Sequence, residues 1–299
     1  MASVQMGARV VLRNILYLTD FSEPSEAALP FAASIAREYS AKVHAYHVLI
    51  PAAYTYTTPE LTAAALEGQE DAALANMQRV GAYLGSLPHE TIVERGTGIW
   101  SSLEEAIKDY AVDLIVLGTH GRTGAQKLLM GSVAEEVFRR SHVPVLTIGP
   151  GERRGVHRGA RFHHVLFATD FTNESLAAAP YALSMAQENE ARLTLLHVMK
   201  EPETKPYDKS VEDAMSSAFF RLHELVPQTA ESWCKPEAVV EFGNPAEQIL
   251  KTAKERGADL IVLGVRGGRG VPGAATHLER ATAHKVVVHA ECPVLTVRG

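Results

Sequence analysis

The chain predicts an α/β protein made of two tandem domains, each a five-stranded parallel sheet of order 3-2-1-4-5 flanked by helices. Three observations carry that prediction. First, the sequence is written twice: Asn14-Ile-Leu-Tyr-Leu-Thr-Asp20-Phe21 returns as His164-Val-Leu-Phe-Ala-Thr-Asp170-Phe171, and His47-Val48 returns as His197-Val198, both at an offset of 150. Ala111-Val-Asp-Leu-Ile-Val-Leu-Gly118 and Val143-Pro-Val-Leu-Thr147 have their own counterparts ending at Gly264 and Thr296. Second, each copy alternates short apolar runs with longer helical patterns, which is how βαβ units and a parallel sheet are written. Third, a glycine-rich segment follows one of those apolar runs and precedes a helix start, the position where open α/β sheets collect ligands.

In the first copy, strands are expected near Asn14–Thr19, Lys42–Leu49, Glu90–Arg95, Asp113–Gly118 and Val143–Ile148. Leu114-Ile-Val-Leu117 is a continuous apolar run of the kind found in strands buried on both faces, so Gly118 falls at the strand's carboxyl end. The helix after strand one starts at Ser22 with Pro24 in its first turn, and Asn244-Pro245-Ala-Glu247 is the matching kind of start after the third strand of the second copy. Ser132-Val-Ala-Glu135 has capping-box form, which places a helix start with unpaired amides behind Gly131. Right-handed crossovers put the switch point between strands one and four. The two domains are expected over residues 10–150 and 160–299, with the boundary near Pro150 to Gly159.

Length alone allows about two domains, each large enough for its own core. The composition, 46% hydrophobic with a formal charge of −6, is that of an ordinary globular protein. No apolar run is long enough to cross a bilayer, so no membrane role is expected. No clustered basic surface is written into the sequence, which argues against a nucleic-acid partner. The first residues lack the pattern of an export signal, and a cytoplasmic location is expected. Cys234 and Cys292 are the two cysteines, too few for a disulfide framework and without metal-finger spacing.

The predicted topology sets the loop after strand one, carrying Thr19 and Asp20, opposite the glycine segment after strand four. Two readings of Asp20 stand side by side: its carboxylate accepts from sugar hydroxyls or an adenine amine, or it caps the following helix in competition with Ser22. The long stretch Pro51 to Pro59 after strand two suits either a lid or a mobile connection.

These residues together resemble the universal stress proteins in their tandem two-domain form. Nucleotide-binding members of that family carry Gly-x-x-Gly, nine residues, then Gly-Ser/Thr; here Gly118 and Gly121 are followed, nine residues on, by Gly131-Ser132. The resemblance implies a Rossmann-like fold, adenine nucleotide alpha-hydrolase-like, in a stress-response protein that binds an adenine nucleotide, commonly ATP, with or without Mg²⁺. It also implies dimeric packing through the last strand, as in a homodimer; the duplication itself offers a pseudo-dimer, with Val145–Ile148 pairing antiparallel to Val294–Val297 to cover two sheet edges. Carried onto this sequence, the ligand-binding set is Thr19, Asp20, Val48, Gly118, His120, Gly121, Arg122, Gly131, Ser132 and Val133. Val48 would pair with adenine through its backbone, or simply pack in the core. Gly118 and Gly121 would permit close approach and unusual φ, and Gly131 with the Ser132 hydroxyl would meet a phosphate. His120 touches a phosphate or ribose, or is an exposed loop side chain; Arg122 and Lys127 neutralise phosphate charge, or are solvated.

The second copy departs at the phosphate end. Gly264 and Gly267 keep the first glycine pair, but alignment from Pro293 puts Arg280-Ala281 opposite Gly131-Ser132 at an offset of 149. Thr276-His-Leu-Glu279 is itself of capping-box form, so that helix is expected to begin a turn early, in the triphosphate's place. The second domain is therefore expected to bind ATP poorly or not at all, while Asp170 and Gly267, Gly268, Gly270 and Gly273 still permit an altered ligand.

No complete catalytic set is present. The stretch from Gly121 to Lys127 lacks the glycine before the lysine and the hydroxyl after it that a P-loop needs. No Gly-x-Ser-x-Gly elbow, His-Glu-x-x-His helix, His-x-Gly-His or Ser-Gly-Gly-x-Asp-Ser signature occurs. His44 and His47 point to opposite faces of a strand, and His277 with His284 lacks further ligand partners, so no metal site is expected. The competing hypotheses are a slow ATPase or phosphotransferase, and a scaffold whose pockets hold a non-nucleotide ligand; the protein partner is not legible.

Overall fold

A computed structural model of the chain describes residues 10–50, 59–119, 130–149, 160–202, 209–228, 230, 233–266 and 277–299. It consists of two compact units that divide between Ala160 and Arg161. The first contains β1 (Asn14–Leu18), α1 (Glu23–Glu26), α2 (Leu29–Tyr39), β2 (Lys42–Leu49), α3 (Pro59–Leu84), β3 (His89–Arg95), α4 (Ile99–Asp109), β4 (Leu114–Gly118), α5 (Ser132–Arg140) and β5 (Val145–Ile148). Its strands run in the order β3-β2-β1-β4-β5, all parallel. The chain winds outward from β1 to β3, then crosses back over β1 to build β4 and β5. The loops after β1 and β4 therefore diverge, and a crevice opens between them.

The second unit repeats the plan with β6 (His164–Ala168), α6 (Asn173–Leu176), α7 (Ala179–Asn189), β7 (Arg192–Met199), α8 (Lys209–Glu224), β8 (Glu237–Phe242), α9 (Pro245–Arg256), β9 (Leu260–Val265), α10 (His277–His289) and β10 (Val294–Arg298). Its order is β8-β7-β6-β9-β10, again parallel throughout. Registers match across the copies: Asn14 pairs with Lys42 as His164 pairs with Arg192, and Ile15 pairs with Leu114 as Val165 pairs with Leu260.

The central strands are covered on both faces. Ile15, Leu16, Tyr17, Leu114, Ile115 and Val116 are all fully buried, as are Val165, Leu166, Leu260 and Ile261. Helix ends follow local chemistry. Ser22 and Thr172 cap α1 and α6, and the Asn244 side chain accepts from the amides of Ala246 and Glu247 at the start of α9. Gly257 ends α9 at φ 65°, the left-handed conformation that glycine adopts without penalty.

One carboxylate per unit ties the two halves of the winding together. Asp113, just before β4, accepts from the amides of Arg13 (2.7 Å) and Asn14 (3.0 Å), and Asp259 does the same for His163 and His164. This clamp sets where β1 and β6 enter the sheet.

A buried imidazole bridges strands one and two in each unit, from opposite sides of the pairing. In the first, His44 Nε2 on β2 meets Asn14 Oδ1 at 3.2 Å; in the second, His164 Nε2 on β6 meets Thr194 Oγ1 at 2.8 Å. His164 Nδ1 donates to the Arg256 carbonyl, 3.0 Å away, so the ring is satisfied in its neutral form. Burial, and after it the nearby Arg192 charge, hold the His164 pKa below the usual histidine range; burial and then Lys42 do so for His44. The native state thus binds fewer protons than the unfolded chain. Stability is complete above the ordinary histidine value of about 6.5 and falls as the pH drops below it. Urea midpoints measured from about pH 7 to about pH 5 should decline, and His164→Asn, the residue at the matching position of the first unit, should flatten that slope. An unchanged slope would remove His164 from the account.

Candidate functional site

The first unit holds a cavity of about 590 Å³ at the carboxyl ends of β1, β2 and β4. Its size lies in the range of small-molecule sites. Thr19 and Asp20 come from the turn after β1, Val48 from the end of β2, Gly118 from the end of β4, and Gly131, Ser132 and Val133 from the start of α5. The switch-point topology brings these residues together from distant parts of the chain. His120, Gly121, Arg122 and Lys127 lie outside the described residues, as do residues 51–58. The cavity is also lined by the apolar residues Leu49, Ile50, Ala72, Ala73, Ile99 and Leu103, together with Gln69 and Asn76.

The turn after β1 is built by its own side chains. Asp20 Oδ1 accepts from the Ser22 amide (3.0 Å) and hydroxyl, while Ser22 Oγ accepts from the Ser25 amide. Ser22 is therefore the helix cap, and Asp20 supports it from behind rather than competing for it. Thr19 Oγ1 lies 3.1 Å from Ser25 Oγ and accepts from the Phe21 amide at 3.0 Å. Phe21 sits at φ 61°, a left-handed conformation that is strained for a bulky residue and persists only where its surroundings impose it. The Phe21 ring lies against His47 with centroids 4.4 Å apart, and His47 Nδ1 donates to the Thr19 carbonyl at 2.7 Å. Below the turn, Tyr17 donates to the Ser25 carbonyl at 2.9 Å, and burial raises its pKa so that it remains a donor. Tyr46, which also lines the cavity, donates to Glu94, with the Ser102 carbonyl 3.2 Å from the same hydroxyl; burial first, and then the Glu94 hydrogen bond, raise its pKa as well.

Three local expectations need correction. Ser132 is the first helical residue of α5 and not its cap: the cap is Gly131, whose carbonyl accepts from the Glu135 amide at 2.9 Å, and no side chain caps the first turn. The capping-box pattern fails because the chain enters the helix one residue earlier than the hydroxyl would require. Second, the Gly131 amide is engaged, donating to the Thr119 carbonyl at 2.7 Å. The amides facing outward from the helix start are those of the next residues, Ser132 and Val133, which have no intrahelical acceptor. Third, of the two roles expected of Gly118, close approach holds and an unusual φ does not. A Cβ there would lie 2.4 Å from the Pro24 carbonyl oxygen, so β4 and α1 approach as only glycine allows, and Gly264 meets the Glu174 carbonyl in the same way at 2.3 Å.

Some contributors carry no obvious sequence signal. Gln69 and Asn76 reach the cavity because α3 covers the end of β2, which nothing in the preceding Pro51–Pro59 stretch announces. Gly96 does not line the cavity but packs beside it: a Cβ on it would fall 2.3 Å from Ser102 Oγ and 3.1 Å from Val48 Cγ1. The signal for His47 was present, because His197 repeats it one offset later.

In the second unit the turn is preserved in detail. Asp170 Oδ1 accepts from the Thr172 amide and hydroxyl at 3.0 and 2.6 Å, Phe171 sits at φ 62°, and His197 Nδ1 donates to the Thr169 carbonyl at 2.8 Å. Burial would raise the Asp170 pKa, but the hydrogen bonds from Thr172 and Ser175 outweigh it and hold the carboxyl below its usual range. The Arg221 guanidinium of α8 lies over the Phe171 ring at 3.9 Å. The helix before the last strand differs. Ser132 corresponds to Ala281 at the offset of 149, and α10 begins at His277, four residues earlier than α5. The stretch from Gly267 to Thr276 lies outside the described residues.

A duplicated, doubly wound α/β module with a ligand-sized cleft at its switch point, bounded by a helix N-terminus, is the class of protein these features define. The family description of the universal stress proteins matches residues 12–149 and again 161–298, and the chain belongs to that family in its tandem form. It is similar over its whole length to a universal stress protein of Mycolicibacterium smegmatis, 26% identical over 294 residues that cover 95% of this chain and 97% of the relative. A single-domain relative, a universal stress protein of Methanocaldococcus jannaschii, is 34% identical over 143 residues, 46% of this chain and 81% of that protein. The fold matches the crystal structure of a universal stress protein from Archaeoglobus fulgidus with a TM-score of 0.68 at 20% identity, covering 95% of this chain and 98% of that one. Among the described residues no helix is long and apolar enough to cross a membrane.

Proposed function

We propose that this chain is a stress-response regulatory protein that holds ATP, with or without Mg²⁺, in the cleft of its first unit as a sensory or structural ligand, and that the second unit has lost the triphosphate end of its site. The observation that carries this reading is the convergence of Thr19, Asp20, Val48, Gly118, Gly131, Ser132 and Val133 on one cavity. The parts fit the parts of the ligand. The apolar lining that follows Val48 in the chain, Leu49 and Ile50, suits a flat heterocycle; Asp20 suits ribose hydroxyls; and the first-turn amides of α5, unopposed by any side-chain cap, suit phosphate oxygens. His120, Gly121 and Arg122 belong to the same proposal as residues of the loop between β4 and α5. In the second unit, the bulky Arg280 at the position of Gly131 and the earlier start of α10 support loss of the phosphate site.

No catalytic residue is assigned, because among the described residues no group of His, Cys, Asp or Glu side chains could hold a metal for phosphoryl transfer. Turnover of Mg-ATP should therefore stay well below roughly 1 s⁻¹, the lower end for dedicated kinases. Mass spectrometry of ligand released from freshly purified protein is the primary test. One adenine nucleotide per chain is expected; two equivalent nucleotides would refute the asymmetry, and a different class of ligand would refute the reading. Fast, saturable hydrolysis that disappears in Gly131→Arg would replace the sensor with an ATPase.

A further inference from the structure

The two backbone groups of Val48 are exposed to the cleft by the side chains of its neighbours. Along β2, even-numbered residues turn their N–H and C=O toward β1 and odd-numbered residues toward β3. Lys42 N donates to the Arg13 carbonyl at 2.8 Å, and the Tyr46 carbonyl accepts from Thr19 N at 3.1 Å; on the other side, Val43 N donates to the Pro88 carbonyl at 2.9 Å, and the Leu49 carbonyl accepts from Gly96 N at 3.0 Å. A parallel ladder continued by one rung would join Val48 N–H to the Thr19 carbonyl and Phe21 N–H to the Val48 carbonyl. Both of those partners are diverted. His47 Nδ1 donates to the Thr19 carbonyl at 2.7 Å, and Thr19 Oγ1 takes the Phe21 amide at 3.0 Å. Phe21, at φ 61°, then turns the chain away from β2. Neither bond of the next rung is made, and Val48 lines the cavity.

The second unit builds the same break from the same residue types. Thr169 N donates to the Leu196 carbonyl at 2.9 Å, His197 Nδ1 donates to the Thr169 carbonyl at 2.8 Å, and the Phe171 amide donates to Thr169 Oγ1 at 2.9 Å. Val198 stands where Val48 stands.

We propose that Thr19 and His47 are positioning residues: they capture both halves of the last rung and so present the Val48 N–H and C=O, an adjacent donor and acceptor, to the hydrogen-bonding edge of a planar heterocycle. Thr169 and His197 hold Val198 in the same way, so the second unit keeps the edge-reading half of the site although its phosphate half has changed. The ligand side of this inference rests on the adenine-nucleotide reading above; the ladder side does not.

Amide hydrogen exchange of the full, nucleotide-free chain separates the two. In the wild type, Val48 N–H should exchange at least about tenfold faster than Tyr46 and His47 N–H, which are ladder-bonded. In His47→Phe the freed Thr19 carbonyl should capture Val48 N–H and slow its exchange by about tenfold, while His47→Asn, which keeps a donor near the carbonyl, should resemble the wild type. Val198 should respond to His197→Phe in the same manner. His47→Phe should also weaken ATP binding without changing the affinity for inorganic tripolyphosphate, a difference that general loosening of the cleft would not produce. A wild-type Val48 amide as protected as its neighbours overturns the role assigned to His47, and that measurement needs no variant to fold. So does unchanged Val48 exchange in His47→Phe. If exchange behaves as described but neither wild type nor variant binds ATP, the nucleotide reading fails and the ladder break stands.

Discussion

Under the proposed function, Gly131→Arg should abolish ATP binding to the first unit, lowering affinity by at least about a hundredfold, or roughly 2.7 kcal/mol, while the chain stays folded. The position tolerates a side chain as far as the backbone is concerned: Gly131 lies at φ −63° and ψ 149°, an extended conformation open to any residue. Its amide and carbonyl bonds, to Thr119 and from Glu135, do not depend on the absence of a Cβ. The backbone conformation does not itself call for glycine, and under the proposed function its value lies in keeping bulk away from the first-turn amides of α5. Arginine is the residue the second unit carries at the aligned position, so the substitution imports the second unit's chemistry into the first. Titration with ATP, alongside a thermal melt, checks both halves of the expectation. Wild-type affinity in the folded variant would mean that phosphate does not sit at the start of α5.

Gly118→Val has the opposite signature, a loss of stability ahead of any loss of binding. Its Cβ would come 2.4 Å from the Pro24 carbonyl oxygen and 2.7 Å from the carbonyl carbon. Those atoms belong to the backbone of α1 and cannot rotate away. Relief requires moving α1 off the end of β4, which also disturbs the Tyr17 to Ser25 hydrogen bond and the turn that holds Asp20. Overpacking of this kind costs about 3 kcal/mol or somewhat more. The unfolding midpoint of the first unit should fall accordingly, and Gly264→Val should do the same to the second, where the approach is 2.3 Å. A variant as stable as the wild type would show that α1 is free to shift and that Gly118 is not a packing residue.

The two glycines of one motif thus have different physical grounds. Spacing identifies both, and of the close approach and unusual φ it expects at Gly118, the structure uses the close approach alone. What the spacing does not supply is the partner: the residue against which Gly118 packs, Pro24, lies 94 positions earlier in the chain, and no local pattern reports that distance of approach. The capping pattern at Ser132 misled for a related reason. A Ser-x-x-Glu string marks a helix start to within a residue, but which residue becomes the cap depends on how the preceding chain arrives, and here the Thr119 carbonyl takes the Gly131 amide. His47 was legible in a different sense. It repeats as His197, but in the sequence analysis that repetition counts only toward the duplication, and against His44 it is only a failed metal pair.

What the sequence by itself determined is whatever depends on neighbours along the chain: the duplication, the alternation of buried strands with helices, the caps at Ser22 and Asn244, and through these the parallel sheet with its switch point between the first and fourth strands. The tertiary structure decided what depends on atoms brought together across the fold: the ladder broken at Val48 by two side chains, the glycine demanded by a distant carbonyl, the amides left over at the start of α5, and the cavity they share. Hydrophobic periodicity survives in a linear string because burial is imposed on whole faces of an element. Hydrogen-bond partnership and steric contact between distant segments do not survive in it, because they are fixed within a few tenths of an ångström by geometry that only the packed sheet supplies.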